Sequence, residues 1–171
     1  MNSSKLYSDS PNPTRALLSI KPNFAYAILR GEKKYEFRRS IFTRPVDVVV
    51  LYATAPVRRV IAEFEVCSVI SQPLQTLWDR TKKFAGIGEE YFFRYFQGRV
   101  YGHAIEIGEV RPYKSPFCPI ERFGIRPPQS FVYLDFDLGI ETDARLIPVP
   151  PTILSLFPPL LFKALKTSRD T

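Results

Sequence analysis

The run Asp47–Ala55 (Asp-Val-Val-Val-Leu-Tyr-Ala-Thr-Ala) constrains this chain more than any other. It is apolar without a break from Val48 to Ala53 and rich in β-branched valine. A run this short reads as a strand, and its lack of polar alternation means that both faces must be covered. The chain therefore needs a sheet with packed material on each side. Its 171 residues suffice for one such domain, alone or with an appendage.

The flanking segments supply that material. Ala16–Ile20 reads as a first strand. Lys21-Pro22 opens a helix with proline in its first turn, Phe24, Ala25, Ile28 and Leu29 form its apolar stripe, and Gly31 stops it. Tyr35–Ile41 is expected to be the second strand. After the turn at Pro56, Val57–Ile70 pairs back antiparallel with mixed faces, so a bulge is expected. Pro73–Phe84 and Gly88–Gln97 read as helices joined at 85–88. Trp78 and the aromatic cluster Tyr91–Phe96 read as helix core. Tyr101–Val110 returns to strand, Glu121–Ile125 to a turn or short helix, and Ser130–Leu138 to a last strand. About six strands with helices around them make an α+β domain with a curved mixed sheet or small antiparallel β-barrel.

Residues 1–14 are polar and expected to be a flexible arm, and 15–138 form the domain. The extension 139–171 alternates prolines (Pro148, Pro150, Pro151, Pro158, Pro159) with the apolar pieces Ile153–Phe157 and Leu160–Leu165. Proline forbids one long helix there. Docking onto the body, disorder, and a surface for a protein partner or for self-association all remain open.

Apolar residues at 45% and charged residues at 24% describe a globular chain. No apolar run is long enough for a membrane span, and the polar start lacks a signal-peptide core, so a cytoplasmic location without membrane contact is expected. Cys67 and Cys118 have no CxxC partner and His103 is the only histidine, which argues against disulfide, zinc or other His/Cys metal sites. No metal and no cofactor are expected. The net charge is +7. Between Arg30 and Arg44, six basic residues (Arg30, Lys33, Lys34, Arg38, Arg39, Arg44) stand against Glu32 and Glu36, interleaved with Tyr35 and Phe37 and flanked by Tyr26 and Tyr52. Cations with aromatics suit phosphate contact plus base stacking, so nucleic acid is the expected partner.

Within that region lies Gly31-x-Lys33-x-x-Glu36-x-Arg38. Glu36 and Arg38 are two apart, so on a strand they share a face, while Phe37 points to a core. This motif comes after a strand and a helix. A hydrophobic strand, two helices and Tyr101-x-x-Ala104-Ile105-Glu106-Ile107 follow it. The whole arrangement resembles the ASCH domain, a branch of the PUA-like superfamily, over roughly residues 16–138. Pro127-Pro128-Gln129-Ser130-Phe131 is similar to the closing segment of longer ASCH-like proteins.

The resemblance implies a small β-barrel, a cleft lined by Lys33, Glu36 and Arg38, and a role in RNA metabolism or translation, with regulation as one form of it. Some ASCH proteins are amidohydrolases acting on N4-acetylcytidine with a lysine, a threonine and a glutamate. This chain carries Glu36 at the threonine position and no carboxylate near Phe84–Gly86, the expected place of the glutamate. Another member resembles a metal-assisted ribonuclease. RNA or a modified nucleoside is thus the expected ligand, with DNA as the other nucleic acid. If the chain is an enzyme, it is expected to be a hydrolase with Lys33 and Glu36 as catalytic groups.

Lys33 and Arg38 are expected to contact phosphate or a base edge, or to form an internal ion pair with Glu36. Glu36 would accept from an exocyclic amine or serve as a general base. Lys21, at the head of a helix, and Arg39 would hold phosphate. Tyr52 and Thr54 either reach the cleft or belong to the core. Gln129 and Ser130, held extended by two prolines, read as base-edge contacts or as turn residues. His103 reads as structural.

Overall fold

The computed structural model describes residues 13–142. The order is β1 (Arg15–Ile20), α1 (Pro22–Leu29), β2 (Tyr35–Arg38), β3 (Val48–Ala53), β4 (Arg59–Pro73), α2 (Leu74–Thr81), a 3-10 turn (Lys82–Phe84), α3 (Glu89–Tyr95), β5 (Tyr101–Phe117), α4 (Pro119–Phe123) and β6 (Phe131–Leu134). The six strands form one sheet in the order β2-β5-β4-β3-β1-β6. β1 and β3 run parallel, and the other neighbours are antiparallel. The fold is α+β.

β3 is buried at every position, as its unbroken apolar run requires. Alternation sends its side chains to two cores. Val49, Leu51 and Ala53 join Ala16, Leu18 and Ile20 under α1, whose Ala25, Ile28 and Leu29 cover them. Val50 and Tyr52 join Leu17, Val60, Tyr113, Phe117 and Leu134 on the other face. A third core holds the helical insertion. Leu77 and Trp78 of α2 and Phe92 and Phe96 at α3 pack on Phe37, Ile70 and Ala104.

β4 and β5 are longer than their local patterns suggest, at 15 and 17 residues. Each is the other's ladder partner, so pairing extends both past the point where alternation fades. Their register shifts at Val60/Ala62, Phe64/Val66 and Val66/Ser68. Such bulges bend a ribbon. One end of this ribbon packs in the second core through Val60 and Phe117, the other in the third through Ile70 and Ala104.

The expected barrel is not closed by backbone pairing among the described residues, where β2 and β6 remain edge strands. The chain leaves strand geometry after Arg38, so β2 has four residues rather than running to Ile41. The following loop meets β6 through side chains instead. Phe42 packs edge-on against Phe131 at 5.0 Å, and the Thr43 amide donates to the Tyr133 hydroxyl at 2.9 Å. Arg44 pairs with Asp135 at 2.9 Å.

The last strand is also shorter than expected, ending at Leu134. Leu138 and Ile140 nevertheless pack on the second core, and Thr142 bridges to Tyr113. The rest of the extension, 143–171, and most of the N-terminal arm, 1–12, lie outside the described residues. Among the described residues no helix is long and apolar enough to cross a membrane.

Phe92 is fully buried and its ring meets Phe37, Trp78, Phe93 and Phe96 at 4.9–5.2 Å. Phe92→Ala should cost about 3–5 kcal/mol in urea unfolding. A loss below about 1 kcal/mol would show that the insertion does not share the cooperative core.

Candidate functional site

The site begins where α1 ends. Gly31 takes φ +72°, a left-handed conformation suited to glycine. The amides of Glu32 and Lys33 then both donate to the Ala27 carbonyl, at 3.0 and 3.1 Å. This tight turn folds Lys33 back beneath the helix, where it is only 2% exposed. Its Nζ donates to the Ala85 carbonyl at 2.8 Å and stands 3.8 Å from Glu36 Oε2. The same ammonium sits over the rings of Phe37 (4.7 Å) and Phe24 (5.5 Å). The Lys34 amide donates to Phe84 O at 2.9 Å, so main chain ties the 84–86 segment to the motif. Gly86 has φ +65°, and a Cβ there would lie 2.6 Å from Lys33 Cβ.

On β2, Glu36 and Arg38 share one face while Phe37 enters the third core, as the two-residue spacing predicts. Arg38 Nη1 lies 3.5 Å from Glu36 Oε1 and donates to Ser19 O at 3.3 Å. Its Nη2 donates to both the carbonyl and the hydroxyl of Ser130 at 2.8 Å. The Ser19 hydroxyl in turn donates to Pro128 O at 2.6 Å. One guanidinium thus joins edge strand β2 to the end of β1 and to the segment entering edge strand β6. Glu36 is 6% exposed and Arg38 8%. The three charged groups form a buried cluster rather than the walls of an open cleft.

Burial lowers the Lys33 ammonium to about 8, against the opposing pull of Glu36. Burial also raises the Tyr95 hydroxyl, with Arg38 opposing and Glu36 adding to the shift. Tyr95 therefore lies within electrostatic reach of the cluster. Its hydroxyl donates to Phe37 O at 3.2 Å.

Around the cluster lies an exposed rim. Lys21 Nζ donates to the Tyr91 hydroxyl at 3.5 Å, and the Tyr91 ring meets Phe24 edge-on at 5.4 Å. Arg39 Nη2 donates to Gln97 O at 3.2 Å. Tyr91, Arg94 and Tyr95 line an open depression of about 400 Å³. Gln129 is exposed between Pro128 and Ser130, the two residues that accept from Ser19 and Arg38.

Of the residues expected from sequence, Lys33, Glu36, Arg38 and Ser130 come together, and Lys21, Arg39 and Gln129 lie exposed on the surface. Tyr52 does not join them. Alternation along β3 turns it into the second core beside Leu17 and Val60. Thr54, half-buried, opens the turn after β3, where its amide donates to Ile20 O and its carbonyl accepts from Val57 and Arg58. Of the aromatics interleaved with the basic run, Tyr26, Phe37 and Tyr52 are buried. The rings at the rim come instead from Phe24 and α3.

Sequence reasoning misses Ser19, Ala85, Gly86, Tyr91 and Tyr95. Tyr91 and Tyr95 carry a usable signal, since i and i+4 share a helix face distinct from that of Phe92 and Phe96. His103 has a neighbour that chain distance hides, as Ser71 Oγ lies 2.8 Å from His103 Nδ1 across the β4–β5 ladder. Both cysteines are free thiols. Among the described residues no group of three or more His, Cys, Asp or Glu is placed to hold a metal.

Known proteins share this fold. The sequence pattern of the ASCH domain matches residues 18–117. An ASCH domain-containing ribonuclease from Zymomonas mobilis is 32% identical over 130 residues, 74% of this chain and 88% of that protein. A crystal structure of ASCH from Zymomonas mobilis superposes with a TM-score of 0.66 at 31% identity, covering 70% of this chain and 87% of that one. A tyrosine-to-phenylalanine mutant of that protein gives 0.66 at 30% identity, covering 70% and 89%.

Two stability measurements check this geometry. Gly86→Ala should destabilise by about 1–2 kcal/mol from the left-handed backbone alone, with the collision at Lys33 adding to it. An unchanged urea midpoint would contradict the close approach. Lys33 also has a pH signature. Its folded pKa lies below the unfolded value, so between about 8 and 10.5 the unfolded chain binds more protons at this site. The burial cost is complete below that window and is relieved as pH rises through it. Wild type should therefore gain stability relative to Lys33→Met from pH 8 to 10. A pH-independent difference would show that Lys33 is not desolvated.

Proposed function

This chain belongs to the ASCH domain family of the PUA-like superfamily, and on that premise we propose that it binds RNA over the buried Lys33–Glu36–Arg38 cluster. One observation carries the reading. Three ionisable groups lie buried together beneath exposed cations and rings. A buried ion cluster is no more stable than well-packed apolar residues of similar size, because desolvation offsets its attraction. Arg38 ties the sheet edges together, but such a brace does not require Lys33 to be buried beside it, and perturbed buried groups of this kind cluster at functional sites.

Lys21 and Arg39 are placed for phosphate, as exposed cations flanking the cluster. Gln129 and Ser130 supply amide and hydroxyl groups to a base edge, held in place through Pro128, Ser19 and Arg38. Glu36 orients Lys33 and Arg38 and accepts from an exocyclic amine. Binding without turnover would suit a regulatory part in RNA metabolism or translation.

A second reading is RNA cleavage at the same face, with Lys33 and Glu36 as the catalytic groups. Two observations favour it. Burial lowers the Lys33 ammonium to about 8, closer to physiological pH than a free lysine, which is the direction a proton acceptor needs. A relative 32% identical to this chain is named a ribonuclease. Deacetylation of N4-acetylcytidine has less support. Glu36 stands where such relatives carry threonine, and the 84–86 segment offers Lys33 the Ala85 carbonyl rather than a carboxylate.

The test is a labelled single-stranded RNA, followed by anisotropy and on a gel, with Mg, with Mn and with chelator. Lys21→Ala with Arg39→Ala should weaken binding and reduce the salt slope by about 1.4, since each phosphate left without its cation removes about 0.7. If cleavage occurs, Lys33→Met should abolish it without unfolding the protein. Absence of RNA binding by wild type at low salt would refute the proposal.

A further inference from the structure

We infer that α3 supplies the wall that holds a nucleobase at this face, with Tyr91 stacking on an unpaired base beside the Lys33–Glu36–Arg38 cluster. The inference deepens the RNA-binding reading and rests on it. Phe92 and Phe96 turn inward and are fully buried. Helical spacing sets Tyr91, Arg94 and Tyr95 beside that buried face, with Tyr95 still packed partly on the third core, and the three line an open depression of about 400 Å³. That volume falls in the range of small-ligand sites and readily admits a base.

The three side chains divide the work. The Tyr95 hydroxyl is committed to Phe37 O, which fixes that ring beside the cluster. The Tyr91 ring is held edge-on against Phe24, with the exposed Lys21 Nζ 3.5 Å from its hydroxyl. A ring held this way is a preorganised stacking partner for a π-face. Arg94 is 66% exposed and its nearest counter-charge is Glu90, 3.4 Å away. Together with Lys21 it puts two exposed cations near the ring, available to the phosphates flanking a stacked base. A base inside a duplex has both faces occupied, so only an unpaired base fits.

A short single-stranded RNA containing 2-aminopurine tests this, because stacking quenches that base. Wild type should bind it with quenching, and should bind the matching duplex at least about tenfold more weakly. Tyr91→Phe keeps the ring and should preserve affinity and quenching. Tyr91→Leu keeps bulk without the ring and should lose about tenfold in affinity together with the quench. If Tyr91→Leu, folded by urea titration, still binds and quenches like wild type, or if duplex binds equally well, the α3 wall is overturned while RNA binding stands. If wild type binds no RNA at low salt, both fall.

Discussion

The Arg38 guanidinium is the point on which the rest of this structure depends. Among the described residues the sheet has two edges, β2 and β6, and backbone pairing does not join them. Arg38 does so through Ser130 and Ser19. A rigid planar fork of five donors can hold Ser19 and Ser130 with two nitrogens while still facing Glu36, a fixed geometry that the rotatable donors of an ammonium do not supply. Burying that charge demands a counter-ion, and Glu36 supplies it from the same strand face. Glu36 in turn makes room for a second cation, and Lys33 arrives from the turn after α1. Structure and candidate function are thus one network. The residues that tie the sheet edges together are those that would sit beneath a ligand.

A second ion cluster on the same domain shows what differs. Arg111 meets Glu63, Glu65 and Glu109 at 2.8–3.1 Å on the β4–β5 surface. Those charges are partly solvated, and Arg111 there has three carboxylates to share its charge. Partial burial there opposes the charge, but the bonds to Glu65 and Glu63 outweigh it and hold the Arg111 proton more tightly. Around Lys33 solvent is excluded, rings of Phe24 and Phe37 flank the ammonium, and its proton is loosened to about 8. The same residue types give a surface brace in one place and a desolvated, perturbed cluster in the other, and burial makes the difference.

Local pattern carries much of this. The valine run of β3, the amphipathic α1 with its Gly31 stop, and the alternation Glu36-Phe37-Arg38 each encode their own geometry, and each appears where the spacing places it. What could not be read depends on partners far along the chain. β4 and β5 outrun their own patterns because each extends the other, and β2 stops early because the chain turns off to meet β6. The contact of Lys33 with Ala85 uses a main-chain oxygen 52 positions away, which no side-chain pattern advertises. As a residue type Tyr52 suits a ligand as well as Tyr91 does, but strand alternation sends one to a core and helix spacing brings the other to the rim. The motif therefore locates the buried cluster, while the aromatic rim beside it comes from the helical insertion.

The central claim is that this buried cluster underlies an RNA-binding face and is not only a brace for the sheet. Amide chemical-shift mapping during titration with a short single-stranded RNA tests it most directly. The largest shifts should fall along Lys21–Phe24, Lys33–Arg39, Tyr91–Tyr95 and Gln129–Ser130, with the Glu63–Arg111 surface unmoved. Shifts centred on that other surface, or none at saturating RNA, would contradict it.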